Sequence, residues 1–98
     1  MKEIISKLNK VFESRVRLGI MSALMVNDYV DFNSLKELLD VTDGNLASHL
    51  NALEKNKLIE VHKTFIGRKP NTQYSATPIG RKAFSEHLNY LSQLIRRQ

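Results

Sequence analysis

Ninety-eight residues and 11.3 kDa supply one domain with a single hydrophobic core, and the absence of cysteine rules out disulfides, thiolate nucleophiles and cysteine-based zinc sites. With 42 % hydrophobic and 26 % charged residues the chain is globular in composition, and global disorder is excluded. Fifteen basic against ten acidic residues leave a net charge of +5, and Val61–Ser85 carries Lys63, Arg68, Lys69, Arg81 and Lys82 with no acidic residue, so a polyanion is the first partner to consider.

The first element is a helix with Ile4, Ile5, Leu8, Val11 and Phe12 on one face, at steps of three and four. No apolar block of signal-peptide type follows Lys2-Glu3, and the longest apolar run, Gly19–Met21 continued by Ala23–Val26, is far short of the ~20 residues a membrane span needs. No membrane association is expected, and a cytoplasmic location fits. In the second helix Val16, Ile20 and Leu24 make a stripe, flanked by Met21 and Met25, until Asn27-Asp28 interrupts it. The alternation in Tyr29–Phe32 reads as a short strand.

A helix-turn-helix then spans about residues 32–56. Its first helix carries Leu35, Leu38 and Leu39, and either Asp31 or a Ser34/Glu37 capping box starts it. Thr42 caps the second helix, where Leu46, Leu50 and Leu53 form the buried stripe. After Asn56 the period changes to two: Ile59, Val61 and Lys63 alternate with polar residues as a strand, Ile66–Asn71 reads as a basic loop, and Thr72–Ala76 returns. This hairpin occupies about residues 59–76. Thr77-Pro78 opens a last helix over about 78–95, with Phe84, Leu88, Leu91, Leu94 and Ile95 on it and Arg96-Arg97 at its negative end. The fold class is α+β, mostly α: a winged helix-turn-helix with a β-hairpin wing and terminal helices.

With the leucine stripe turned inward, the outer face of the Asp43–Asn56 helix is small and polar, with Gly44, Asn45, Ser48, Asn51, Ala52 and Lys55 on it and His49 on its flank. Short side chains let a backbone approach the major groove, and Asn45, Ser48 and His49 are the candidates for hydrogen bonds to base edges. Asn51, Lys55, Lys63, Arg68 and Lys69 are the candidates for backbone or minor-groove contact. An ordinary solvated helix and a solubilising loop tip share these compositions. Their direct succession in the chain favours a duplex, because helix and wing reach neighbouring grooves. Asp43 at the first turn suits the helix dipole but repels a nearby phosphate.

The terminal helices carry more apolar surface than a core of about 60 residues covers easily. Ile4, Ile5, Leu8, Phe12, Phe84, Leu88, Leu91, Leu94 and Ile95 are therefore candidates for a two-fold dimer interface. Packing of the first helix on the last within one chain is the alternative, and both can hold together. His49, His62 and His87 lie on three different elements, so no metal site, cofactor or catalytic role is expected, and His87 beside Glu86 reads as a surface histidine.

Three segments resemble the MarR/ArsR-like winged-helix regulators: Arg15-Val16-Arg17-Leu18-Gly19-Ile20, the run Phe32–Leu39, and Thr42-Asp43-Gly44-Asn45-Leu46-Ala47-Ser48-His49-Leu50. Leu53-Glu54-Lys55, Leu58-Ile59-Glu60 and Thr77-Pro78-Ile79-Gly80 extend the likeness over roughly Ser14–Phe84. The resemblance implies a prokaryotic, homodimeric, DNA-binding transcriptional regulator, usually a repressor, that dimerises through its terminal helices. By position, Asn45, Ser48 and His49 fall where the family reads DNA, and Arg68-Lys69 fall on its wing. Where the family usually has glycine after the recognition helix this chain has Lys57, so Asn56 or Lys57 must take a left-handed conformation. The expected partners are a pseudo-palindromic duplex and a second copy of the chain, with no effector named. A winged helix used for protein–protein contact is the alternative, and an enzyme is not expected.

Overall fold

The computed structural model describes residues 1–96, and its elements change where the hydrophobic period changes. In chain order they are α1 (Lys2–Lys7), a 3-10 turn (Lys10–Phe12), α2 (Arg15–Met25), β1 (Val30–Asp31), α3 (Phe32–Leu39), α4 (Asp43–Lys55), β2 (Ile59–Ile66), β3 (Lys69–Ala76) and α5 (Pro78–Arg96). This is the winged helix-turn-helix expected from sequence, with a three-stranded antiparallel sheet in the order β1-β3-β2. Arg97 lies outside the described residues.

Side-chain caps set most boundaries. Ser14, Asp31 and Thr42 each accept a hydrogen bond from the amide three residues on, at 3.2, 2.7 and 3.1 Å. Asp31, rather than a Ser34/Glu37 box, therefore starts α3. Thr77 caps α5 twice over, since its hydroxyl accepts from Gly80 N–H at 2.9 Å and donates to the Lys57 carbonyl at 2.8 Å.

Two expectations are corrected. The opening stripe is not one helix, because the chain turns extended at Leu8 (φ −64°, ψ 138°). Asn9 then restarts it by accepting from Val11 N–H at 3.0 Å, a local bond that competes with helix continuation. Nor is Ile66–Asn71 a loop. The strands pair out to Ile66 with Lys69, leaving only Gly67-Arg68 to turn, with Gly67 at φ +63° as a two-residue hairpin turn needs. Pro70 is tolerated in β3 because β1 flanks only Gln73 and Tyr74, so near the tip one edge of β3 is free.

The core gathers Phe12, Ile20, Met21, Leu24, Leu35, Leu46, Leu50, Leu53 and Phe84, all at most 2 % exposed. Phe12 meets Phe84 edge to face at 5.2 Å between ring centroids, so the 3-10 turn is clamped on α5. At the end of α4, Leu58 N–H bonds to Leu53 C=O and Lys57 N–H to Glu54 C=O, at 3.0 and 2.9 Å. This is a Schellman closure, and Lys57 takes the left-handed position at φ 61°, where glycine would cost less. Asp40 likewise takes the left-handed conformation at the end of α3, at φ 52°. Gly80 brings α5 flush onto this junction, and a β-carbon there would overlap the Leu58 carbonyl.

Urea unfolding should show Gly80→Ala destabilised by about 1–3 kcal/mol, because backbone must move to admit the methyl group. Lys57→Gly should be stabilised by roughly 1 kcal/mol through relief of the left-handed strain.

Candidate nucleic-acid interface

Burial of Leu46, Leu50 and Leu53 rolls α4 so that Gly44, Asn45, Ser48, Asn51 and Lys55 are exposed, while Ala52 and His49 are half-buried at its flanks. The turn 40–42 holds α3 behind it. Lys36 Nζ of α3 lies 2.8 Å from Asp43 Oδ1, with both side chains substantially exposed. That pair is worth little to stability. Its electrostatic effect is to set a cation against the one carboxylate at the N-terminal end of α4, which offsets the repulsion Asp43 would exert on a phosphate.

The register of the wing decides which side chains join α4. Val61 pairs with Tyr74, Lys63 with Thr72 and Phe65 with Pro70, so these six residues share one face. Leu50, Asn51 and Glu54 of α4 and Val61, Lys63, Thr72 and Tyr74 of the wing enclose an open cleft of about 600 Å³. Asn51 and Lys63 are thus brought together. Tyr74 is buried at its base, and burial, reinforced by the Glu54 carboxylate, pushes its phenol above the ordinary value of 10.0. Beyond the cleft, Phe65 is 69 % exposed on the same face, a residue that composition and alternation did not single out. Arg68 and Lys69 are exposed at the tip.

Not every cation of the acid-free stretch is available. Arg81 donates to the carbonyls of Met25 and Leu24 at 3.2 and 3.3 Å, where it caps the C-terminal end of α2. His62 is likewise engaged, 2.9 Å from Ser75 Oγ and edge-on to Tyr29.

Arg17 of α2 was not singled out either, yet it contacts the recognition helix: its Nε donates to His49 Nδ1 at 3.0 Å. Burial, and then the Arg17 charge, hold His49 below the ordinary imidazole value of 6.5. Only the three-dimensional packing of α2 on α4 could reveal this pair, since 32 residues separate its members.

The terminal helices divide the nine apolar candidates. Ile4, Phe12 and Phe84 are buried within the chain, because α1 and the 3-10 turn pack on α5. Leu8 and Leu94 are half-buried. Ile5, Leu88, Leu91 and Ile95 stay exposed, the last three as a stripe at steps of three and four along α5. His87 is a correction: it is not a surface residue but 4 % exposed. Its Nδ1 accepts Asn9 N–H at 3.2 Å and its ring rests on Phe12 at 5.2 Å. Burial lowers its pKa, partly offset by Glu13. Among the described residues no group of His, Asp and Glu is placed to hold a metal, and no helix is long and apolar enough to cross a membrane.

Residues 16–95 match the family model described as a winged helix DNA-binding domain. The chain belongs to that family. This winged-helix protein is 40 % identical, over 85 residues, to an uncharacterised protein of Methanocaldococcus jannaschii, covering 87 % of the present chain and 92 % of the relative. Its fold matches that of a transcriptional regulator homologue of Pyrococcus horikoshii with a TM-score of 0.85, at 34 % identity, over 97 % of this chain and 92 % of the other. A Porphyromonas gingivalis protein assigned to the MarR family shares the fold, with a TM-score of 0.70, 20 % identity and coverage of 86 % and 80 %. The chain thus carries a winged helix DNA-binding domain and shares the fold of a transcriptional regulator homologue, in line with the winged-helix resemblance of the segments quoted above.

Both shifted imidazoles bind protons less readily folded than unfolded. Their contribution to stability is therefore complete above the unfolded value and lost as pH falls from 6.5 toward the folded values. NMR titration should place both midpoints below 6.5, and urea midpoints should decline in the same acid window. A midpoint at or above 6.5 for either ring would show that its burial is not maintained in solution.

Proposed function

We propose that this chain is a sequence-specific transcriptional repressor that binds double-stranded DNA as a homodimer. The observation that carries the reading is the exposed polar face of α4, with Asn45 and Ser48 at its centre, beside a wing whose tip presents Arg68 and Lys69. α4 enters the major groove, where Asn45, Ser48 and His49 read base edges. Asn51, Lys55 and Lys63 meet the phosphates flanking that groove, and Arg68 and Lys69 follow the backbone or enter the adjacent minor groove. Two copies joined through the exposed stripe of Leu88, Leu91 and Ile95, with Ile5 beside it, set two recognition helices against a pseudo-palindrome. The half-sites then lie about one helical turn, ~10 bp, apart. Occupancy of a promoter by such a dimer is enough to exclude polymerase, which makes repression the simplest outcome.

Fluorescence anisotropy on selected and random duplexes, titrated across salt, tests this division of labour. Asn45→Ala and His49→Ala should lose discrimination, each mismatched contact being worth about 1–3 kcal/mol. Arg68→Ala and Lys69→Ala should weaken all duplexes alike and reduce the salt slope by roughly 1 each. Equal losses on both duplexes for all four variants would reject the assignment.

Native mass measurement should give twice 11.3 kDa for the wild type. Leu91→Asp should give a folded monomer with weakened binding to a two-half-site duplex. A dimer unchanged by that substitution would place the interface elsewhere.

A further inference from the structure

Arg17 lies outside the recognition helix but reaches a residue assigned to base reading. Its Nε donates to His49 Nδ1 at 3.0 Å, and its Nη1 donates to the Val11 carbonyl at 3.3 Å. The backbone beneath it is also pinned, because Arg17 N–H bonds to the Ser14 hydroxyl that caps α2. A guanidinium has only donors, so Nδ1 must be the nitrogen without a proton. A neutral imidazole in this pair therefore carries its proton on Nε2. That nitrogen has no hydrogen-bond partner among the described residues, and on a half-buried ring it is not one of the fully buried, unpaired polar atoms.

We propose that Arg17 is a positioning residue that holds His49 as a hydrogen-bond donor toward DNA, so that the base edge it meets is an acceptor: a purine N7, guanine O6 or thymine O4. The opposite tautomer would present a lone pair at Nε2 and favour the amino groups of adenine and cytosine. Arg17 thus contributes to sequence choice without touching a base. This inference rests on the DNA-reading role given to His49 above, and its two tests are chosen to fail separately.

The first test needs no DNA. Long-range proton–nitrogen NMR of the full chain, with nitrogen-15 in its histidines, should show His49 protonated on Nε2. Arg17→Met places a methyl group where Nε stood, and it should shift the ring toward a mixture of tautomers. Arg17→Gln keeps an N–H at that position while removing the charge, and should retain the wild-type signature. Thermal melts followed by circular dichroism confirm that each variant is folded.

The second test selects duplexes from a random pool and finds the base position whose preference disappears in His49→Ala. At that position, removal of the acceptor (7-deaza substitution where the base is a purine) should weaken the wild type about fivefold, the scale of one neutral hydrogen bond, and leave His49→Ala unaffected. Arg17→Met should lose preference at that one position and keep the preferences set by Asn45. A wild-type His49 protonated on Nδ1 overturns the proposal. So does an Arg17→Met chain with unchanged tautomer and preference, an Arg17→Gln chain that loses both, or a loss spread evenly over the site. A pool in which no sequence is enriched overturns the sequence-specific reading itself and the base-reading half of this inference. The NMR result still decides the Arg17–His49 bond.

Discussion

Leu46, Leu50 and Leu53 are at most 2 % exposed, and their burial fixes how α4 is rolled about its own axis. Each such side chain stabilises the fold by about 1.5–3 kcal/mol, so no rotation of the helix that exposes them can be recovered by surface contacts. At 100° per residue, the arc opposite the stripe is then obliged to face outward. The same packing seats α4 on α2, whose Ile20, Met21 and Leu24 belong to the same buried cluster. Arg17 is carried on α2, so the burial that orients the recognition helix also delivers the donor that orients His49.

Helix and wing are aimed by a single junction. Leu58 closes the Schellman turn of α4, starts the chain into β2 and accepts the Thr77 amide at 3.1 Å, while Gly80 lies against its carbonyl. The end of the recognition helix, the root of the wing and the first turn of α5 are therefore one rigid knot of backbone bonds. A left-handed lysine at its centre is strained, and the surrounding bonds over-determine it. Lys36 and Asp43 do a corresponding, weaker service at the other end of α4.

The charge of the chain is less useful than its distribution. Of the five cations in the acid-free stretch, Arg81 is occupied with the carbonyls of α2, while Lys63, Arg68 and Lys69 lie along the wing. The apolar residues divide in the same way. Phe84 serves the core and Leu88, four residues on, does not: with Leu91 and Ile95 it lies exposed on a flank of α5 that the rest of the chain leaves uncovered, although His87 beside it is buried. That flank is the physical basis for proposing a second copy.

Local order along the chain was legible without coordinates. Caps at Thr42 and Thr77, the leucine stripe of α4, and the change to period two after Asn56 are interactions between near neighbours, so composition and spacing reveal them. The wing's full length was not, because the pairing of Phe65 with Pro70 and Ile66 with Lys69 extends a ladder through residues whose own preferences favour a loop. Asn9 broke a helix that periodicity alone continued, and His87 became a core residue because the segment it broke away folds back across α5. The pairs Arg17–His49 and Arg81–Met25 join residues 32 and 56 positions apart, and only the folded chain decides which distant donor meets which acceptor. By itself the sequence determined the order of the main helices and strands and the polar face of α4. Tertiary packing decided which cations and imidazoles remain free to meet a partner, because that depends on distances no spacing along the chain encodes.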